Sequence, residues 1–193
     1  MQRFVDKLTR YCLKEEIIRS EDVSWFKYSL EKRISTVLVG IPFLILAFVI
    51  SNFLCAVSFF ATYFYVRKFV GGYHAKTVWG CLAFSLVLEL IFLGGLRSIL
   101  STPMIFGIVG ASILVVLKLA PYNHPNMHLS REEIEACRNK GRRRILIASS
   151  ISVLTCFVGN GEIAKGCTIG IAMAAALLCL GYIYDWRKPC YEE

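Results

Sequence analysis

Charge is scarce in this chain. Only 19% of its 193 residues are Asp, Glu, Lys or Arg, while hydrophobic types make up 56%. Mean hydropathy is +0.56, whereas a soluble domain is normally ~45–50% apolar. That excess excludes an ordinary globular protein and a disordered chain. Proline is rare, at five residues, and the 14 glycines follow no three-residue period, which excludes collagen. No internal repeat or low-complexity tract is present. Cysteines are present but not paired in motifs: eight stand at 12, 55, 81, 137, 156, 167, 179 and 190, with no CxxC among them. Neither a zinc ribbon, a thioredoxin-type redox motif nor a small disulfide scaffold is indicated. A cleavable signal is not expected either, because the first 33 residues carry eight Lys/Arg and no long apolar core.

What the chain does have is apolar length. Runs cut at charges and turn residues fall at 34–51, 53–70, 78–96, 101–119, 145–159 and 163–184. A transmembrane helix needs ~20 residues, within a range of ~17–25. The second run reaches that length only by including Arg67 and Lys68, which are expected to snorkel to the interface. The fifth is short, with Arg144 and its neighbours expected to do the same. The reading is an all-α, polytopic membrane protein in a single domain, 1–193. Its parts are interfacial helices in 1–33, a six-span bundle in 34–184 and a tail in 185–193. Five spans is the alternative count.

The basic residues discriminate between the two. With the N-terminus inside, six spans place twenty of the 22 Lys/Arg on the cytoplasmic side and leave only Arg97 and Lys165 outside. That is a strong positive-inside bias, so six spans with both termini cytoplasmic is favoured. The net charge of +8 thus serves a lipid bilayer, and nucleic acid is not an expected partner. Residues 1–19 carry Phe4, Leu8, Tyr11 and Cys12 at helical spacing between basic residues, the pattern of an amphipathic helix on an anionic leaflet. A second helix is expected to start near Ser20 and run into span one. In span six, Gly166, Gly170 and Ala174 form a small-xxx-small stripe. It suits close packing within the chain or a homodimer interface.

One stretch differs in kind. At the join of spans two and three stand Arg67, Gly71-Gly72, His74, Thr77 and Cys81. Two glycines cost roughly 1 kcal/mol each inside a helix relative to Ala, so the helix is expected to break there. Thr77 is suited to cap span three, which puts Cys81 in the first helical turn, where the helix dipole favours a thiolate. His74 is the nearby side chain suited to general-base work at neutral pH. On a straight helix His74 and Cys81 would lie ~10.5 Å apart along the axis. A dyad therefore requires the chain to fold back over residues 71–77. Glu89, inside span three, is expensive in lipid and is expected to face protein or water. It is too far along the helix to touch Cys81. His124 and His128 have an H-x3-H spacing, but Pro125 lies between them, so no metal or cofactor is predicted.

The set Arg67, Gly71-Gly72, His74-Ala75 and Cys81 resembles, at that spacing, the signature of the AgrB family. These are the accessory gene regulator membrane endopeptidases of Gram-positive quorum sensing. The segment 120–126, Ala-Pro-Tyr-Asn-His-Pro-Asn, followed by Leu129-Ser130, is similar to that family's second signature; Tyr122 stands where a small aliphatic is more usual. The resemblance covers essentially the whole chain. It implies a bacterial cell-membrane cysteine endopeptidase acting on an AgrD-like propeptide, with Cys81 as nucleophile and His74 as base. It further implies an acyl-enzyme thioester that the peptide's own cysteine or serine resolves into a thiolactone or lactone. The alternative is a non-enzymatic membrane protein, a small transporter subunit or scaffold, with Gly71-Gly72 as a broken helix and Glu89 as a pathway carboxylate.

Overall fold

The computed structural model describes residues 2–15, 17–19, 22–73, 77–122 and 131–186. Among them every regular element is helical. The chain divides into two units, Met1–Phe43 and Leu44–Glu193.

The first unit opens with α1 (Gln2–Lys14). Its buried face is Val5, Thr9 and Cys12, while Phe4 and Tyr11 are exposed. Of the face expected from Phe4, Leu8, Tyr11 and Cys12, Phe4 and Tyr11 stay exposed while Cys12 packs inward. Asp6 Oδ1 meets Lys27 Nζ at 2.5 Å. Lys27 belongs to α2 (Val23–Ile50), which stays helical across Pro42. The helix expected from about residue 20 thus runs into the first apolar run without a break.

The second unit is built around its last helix. After a bend at Ser51, α3 (Phe53–Val70) begins with Asn52 as N-cap, its side chain accepting from the Cys55 N–H. Next comes α4 (Val78–Glu89), which continues through a π-helical segment, Leu90–Leu96, into the short α5 (Arg97–Ile99). The remaining helices are α6 (Thr102–Leu119), α7 (Arg131–Phe157) and α8 (Gly161–Trp186). Residues 166–175 of α8 are all buried, and α3, α6 and α7 pack against it.

The small-residue stripe explains the closest of these contacts. A Cβ at Gly166 would lie 2.4 Å from the Cys55 carbonyl oxygen, and one at Gly170 would lie 2.7 Å from that of Phe59. The stripe is occupied by α3 of the same chain. At the Asn52 end, Glu162 accepts from Arg97 (2.8 Å to Nη2) and from Asn52 Nδ2 (2.6 Å), and Lys165 approaches at 3.9 Å. The two basic residues assigned to the outside therefore share one carboxylate. No disulfide links the described cysteines.

Among the described residues, four helices are long and apolar enough to cross a membrane: Phe53–Val70, Trp79–Ile99, Thr102–Leu119 and Gly161–Tyr184. The first run survives as a shorter apolar helix, Thr36–Ile50, about 22 Å long at 1.5 Å per residue. The fifth is the apolar second half of α7. Both fall short of a ~30 Å hydrocarbon core, so four spans stand on length and hydropathy.

Candidate active site

The break between α3 and α4 is where the two glycines predicted it. Gly71 has φ +74° and Gly72 φ +127°, regions open to glycine but strained for L side chains. Residues 71–73 are non-helical, and Thr77 starts the next helix as N-cap, its hydroxyl accepting from the Gly80 N–H at 3.0 Å. Cys81 N–H donates to the Thr77 carbonyl at 2.9 Å. Cys81 thus sits half-buried in the first turn of α4, as the capping argument requires. His74 lies outside the described residues, as do His124 and His128.

The loop is fastened from three sides. Tyr73 N–H donates to the carbonyl of Leu177 on α8 at 2.9 Å, and Tyr122 N–H donates to Val70 at 3.0 Å. Its third fastening is Arg67, one turn before the break. That guanidinium donates to the Gly71 carbonyl and, at 2.7 Å, to the Tyr73 carbonyl. Its charge also interacts electrostatically with Tyr63 and Cys81. Arg67 was expected to snorkel outward; instead it turns inward. The reason is local: with the helix ended at Val70, the carbonyls of 71 and 73 have no helical partner, and a forked cation satisfies both. Lys68, the neighbour expected to behave likewise, is exposed.

Aromatic packing then fixes the loop over α4. The Tyr73 ring stands edge-on to Phe84 on α4 and Tyr184 on α8, each at 5.1 Å between centroids. There is no room for a larger backbone: a Cβ at Gly72 would sit 2.6 Å from the Leu177 oxygen, and one at Gly71 would sit 2.8 Å from the Tyr122 oxygen. Gly181 completes the fit, since its added Cβ would lie 3.0 Å from Tyr73 N.

Glu89 occupies the last turn of α4. It is fully buried, and neither carboxylate oxygen has a hydrogen-bond partner among the described residues. Tyr63 interacts electrostatically with it as well as with Arg67 and Cys81. Tyr63 is therefore the member of this cluster that the sequence reading missed. Its spacing four residues before Arg67, on the same helix face, was the available signal. Leu177 and Gly181 were not findable in that way, because they contribute a carbonyl and an empty space.

A family model, Accessory gene regulator B, matches residues 2–179. The chain belongs to the accessory gene regulator B family. No curated protein and no solved structure matches it. Membership gives an accessory gene regulator role in quorum sensing, and the four apolar helices make this family member a membrane protein. The structure brings Tyr122, in the segment that resembles the family's second signature, against Val70-Gly71. Tyr122, the departure from the expected small aliphatic, is buried there and packs edge-on to Tyr182 at 5.4 Å.

Proposed function

We propose that this chain is a membrane-embedded cysteine endopeptidase that trims and cyclises an AgrD-like propeptide. The observation that carries the reading is the shared use of Arg67. One guanidinium holds the carbonyl of Tyr73, the residue directly before His74, and also interacts with Cys81. The chain leading into His74 is thereby held by a cation whose charge also reaches Cys81, which supports the reading. The α4 N-terminus and Arg67 both present positive charge to the sulfur.

In the proposed reaction the Cys81 sulfur attacks the carbonyl carbon before the peptide's acidic tail, and His74 takes the thiol proton. The C–N bond breaks, His74 returns the proton to the leaving amine, and a thioester remains on Cys81. A cysteine thiol (or serine hydroxyl) within the peptide then attacks that carbonyl. Its proton passes through His74 to the departing Cys81 sulfur, which releases a thiolactone (or lactone). Thioester exchange is nearly balanced, so exclusion of water decides between cyclisation and hydrolysis. The basic residues within 1–33 and, separately, within 131–144 support an acidic-tailed substrate. Six spans with both termini cytoplasmic remain part of the proposal, with the apolar parts of α2 and α7 as the two shorter crossings.

The alternative, a transporter subunit or scaffold, has one observation in its favour: the buried, unpartnered Glu89. It leaves the Arg67-bound loop without a purpose.

The test uses membranes carrying the full chain and a cognate AgrD-like propeptide. Cys81→Ala is expected to abolish tail removal, while replacing the other seven cysteines together retains it; His74→Ala is expected to match Cys81→Ala. A propeptide whose ring cysteine is alanine is expected to leave a hydroxylamine-sensitive adduct on Cys81. Cleavage by Cys81→Ala would overturn the mechanism.

A further inference from the structure

On the outer faces of α3 and α7 the structure gathers cations around one aromatic ring. The Arg144 guanidinium lies 4.2 Å from the Phe69 ring centroid and 4.4 Å from that of Tyr65. Lys140 and Lys68 stand 5.6 and 5.7 Å from the same Phe69 ring. Arg143 completes the group beside a cavity of about 160 Å³ lined by Tyr65, Lys140, Arg143, Arg144 and Ile147. No carboxylate lines it, and none pairs with any of the four cations among the described residues.

Like charges held this close repel, more strongly as the surroundings become apolar. Rings attract each cation singly but do not neutralise the group. Arg144 is also positioned rather than loose, since its Nη1 donates to the Tyr65 carbonyl at 2.8 Å. The cluster is thus a preformed anion site that still needs its anion.

What lies next to it decides which anion. Tyr65, Ala61, Val57 and Leu54 form an exposed stripe along α3, at helical spacing. Ile147, Ile151 and Leu154 form the same kind of stripe along α7. The two helices pack side by side, and both stripes end at the cationic cavity. An apolar furrow leading away from a phosphate-sized basic pocket fits a molecule with an anionic head and hydrocarbon tails. A free anion or an acidic peptide would use the cations and leave the furrow empty.

We propose that Lys68, Lys140, Arg143 and Arg144, on the Tyr65–Phe69 floor, form a binding site for the phosphodiester headgroup of an anionic phospholipid, whose acyl chain lies between α3 and α7. The site is distinct from the Cys81 cluster. Lys140, Arg143 and Arg144 also belong to the basic stretch 131–144 offered above to the substrate's tail, so the test includes an acidic-peptide arm that separates the two uses.

The test is lipid retention by the purified full chain in detergent, read by native mass spectrometry with added phosphatidylglycerol or phosphatidylcholine. Phosphatidylglycerol is expected to be retained and phosphatidylcholine not. Arg143→Gln with Lys140→Gln is expected to weaken phosphatidylglycerol retention about tenfold or more. Arg187→Gln with Lys188→Gln, which removes the same charge elsewhere, is expected to leave it unchanged. On the wild-type chain, a photoreactive phosphatidylglycerol analogue is expected to crosslink peptides containing Tyr65 or Ile147. Equal retention of both lipids, crosslinks spread evenly over all helices, or displacement by inorganic phosphate or by an acidic peptide at the lipid's own concentration would each overturn the proposal.

Discussion

The backbone N–H of Tyr122 donates to the carbonyl of Val70 at 3.0 Å, so the family's second signature closes over the last turn before the first. That contact leaves Gly71 no space for a side chain: an added Cβ would sit 2.8 Å from the Tyr122 oxygen. The connection after α6 is thus part of what shapes the α3–α4 break.

Gly72→Ala should be among the most damaging small substitutions. Its φ of +127° and the 2.6 Å approach of the Leu177 oxygen combine a backbone penalty of roughly 1–3 kcal/mol with a direct clash. We expect cleavage activity to fall by well over tenfold, with a lower melting temperature in detergent. Gly40→Ala, where a Cβ meets nothing within 4 Å, is the control and should be neutral.

Arg67→Lys keeps the charge but not the fork. A single ammonium does not reproduce a planar donor that serves the Gly71 and Tyr73 carbonyls together. Propeptide cleavage is expected to drop at least tenfold for Arg67→Lys and further for Arg67→Gln. A lysine variant with full activity would show that charge alone suffices.

Gly170→Leu should separate α3 from α8. Even a methyl there would lie 2.7 Å from the Phe59 oxygen, and overpacking typically costs ~1–3 kcal/mol. Thermal unfolding is expected several degrees lower. The same change at Gly107, which has open space, should be tolerated.

Glu89→Met should stabilise the fold. Removing a buried carboxylate with no partner among the described residues takes away a desolvation cost of order 1–3 kcal/mol. A higher melting temperature is the expected result. An accompanying loss of activity would mark the carboxylate as functional, whereas a lower melting temperature would show that it has a stabilising contact.

Topology is testable with single cysteines and an impermeant maleimide on intact cells. Positions in 97–101 or 160–162 are expected to be labelled, and Cys137 and Cys190 spared, because the proposed six-span layout puts twenty of 22 Lys/Arg on the cytoplasmic side. Labelling of Cys137 from outside would reverse the orientation and remove the cytoplasmic substrate.

The sequence by itself determined what is local. Apolar run length marked the helices, Gly71-Gly72 marked the break and Thr77 marked the new start, because solvation and backbone propensity act over a few residues. The order of the two signatures identified the family. It counted six spans, of which the described helices bear out four by length and hydropathy, because in α2 and α7 a charged half and an apolar half share one helix.

Tertiary structure decided the rest. Whether Arg67 reaches out to the interface or in to Tyr73 depends on carbonyls freed by a broken helix and on a phenol one turn away. Whether Gly166 and Gly170 serve this chain or another copy depends on which helix arrives there, and α3 does. The Leu177 carbonyl that holds Tyr73, and the empty volume at Gly181 that admits the loop, belong to backbone and space rather than to any residue type. Such contacts join segments far apart in sequence and have no periodic pattern to read, so only the packed helices reveal them.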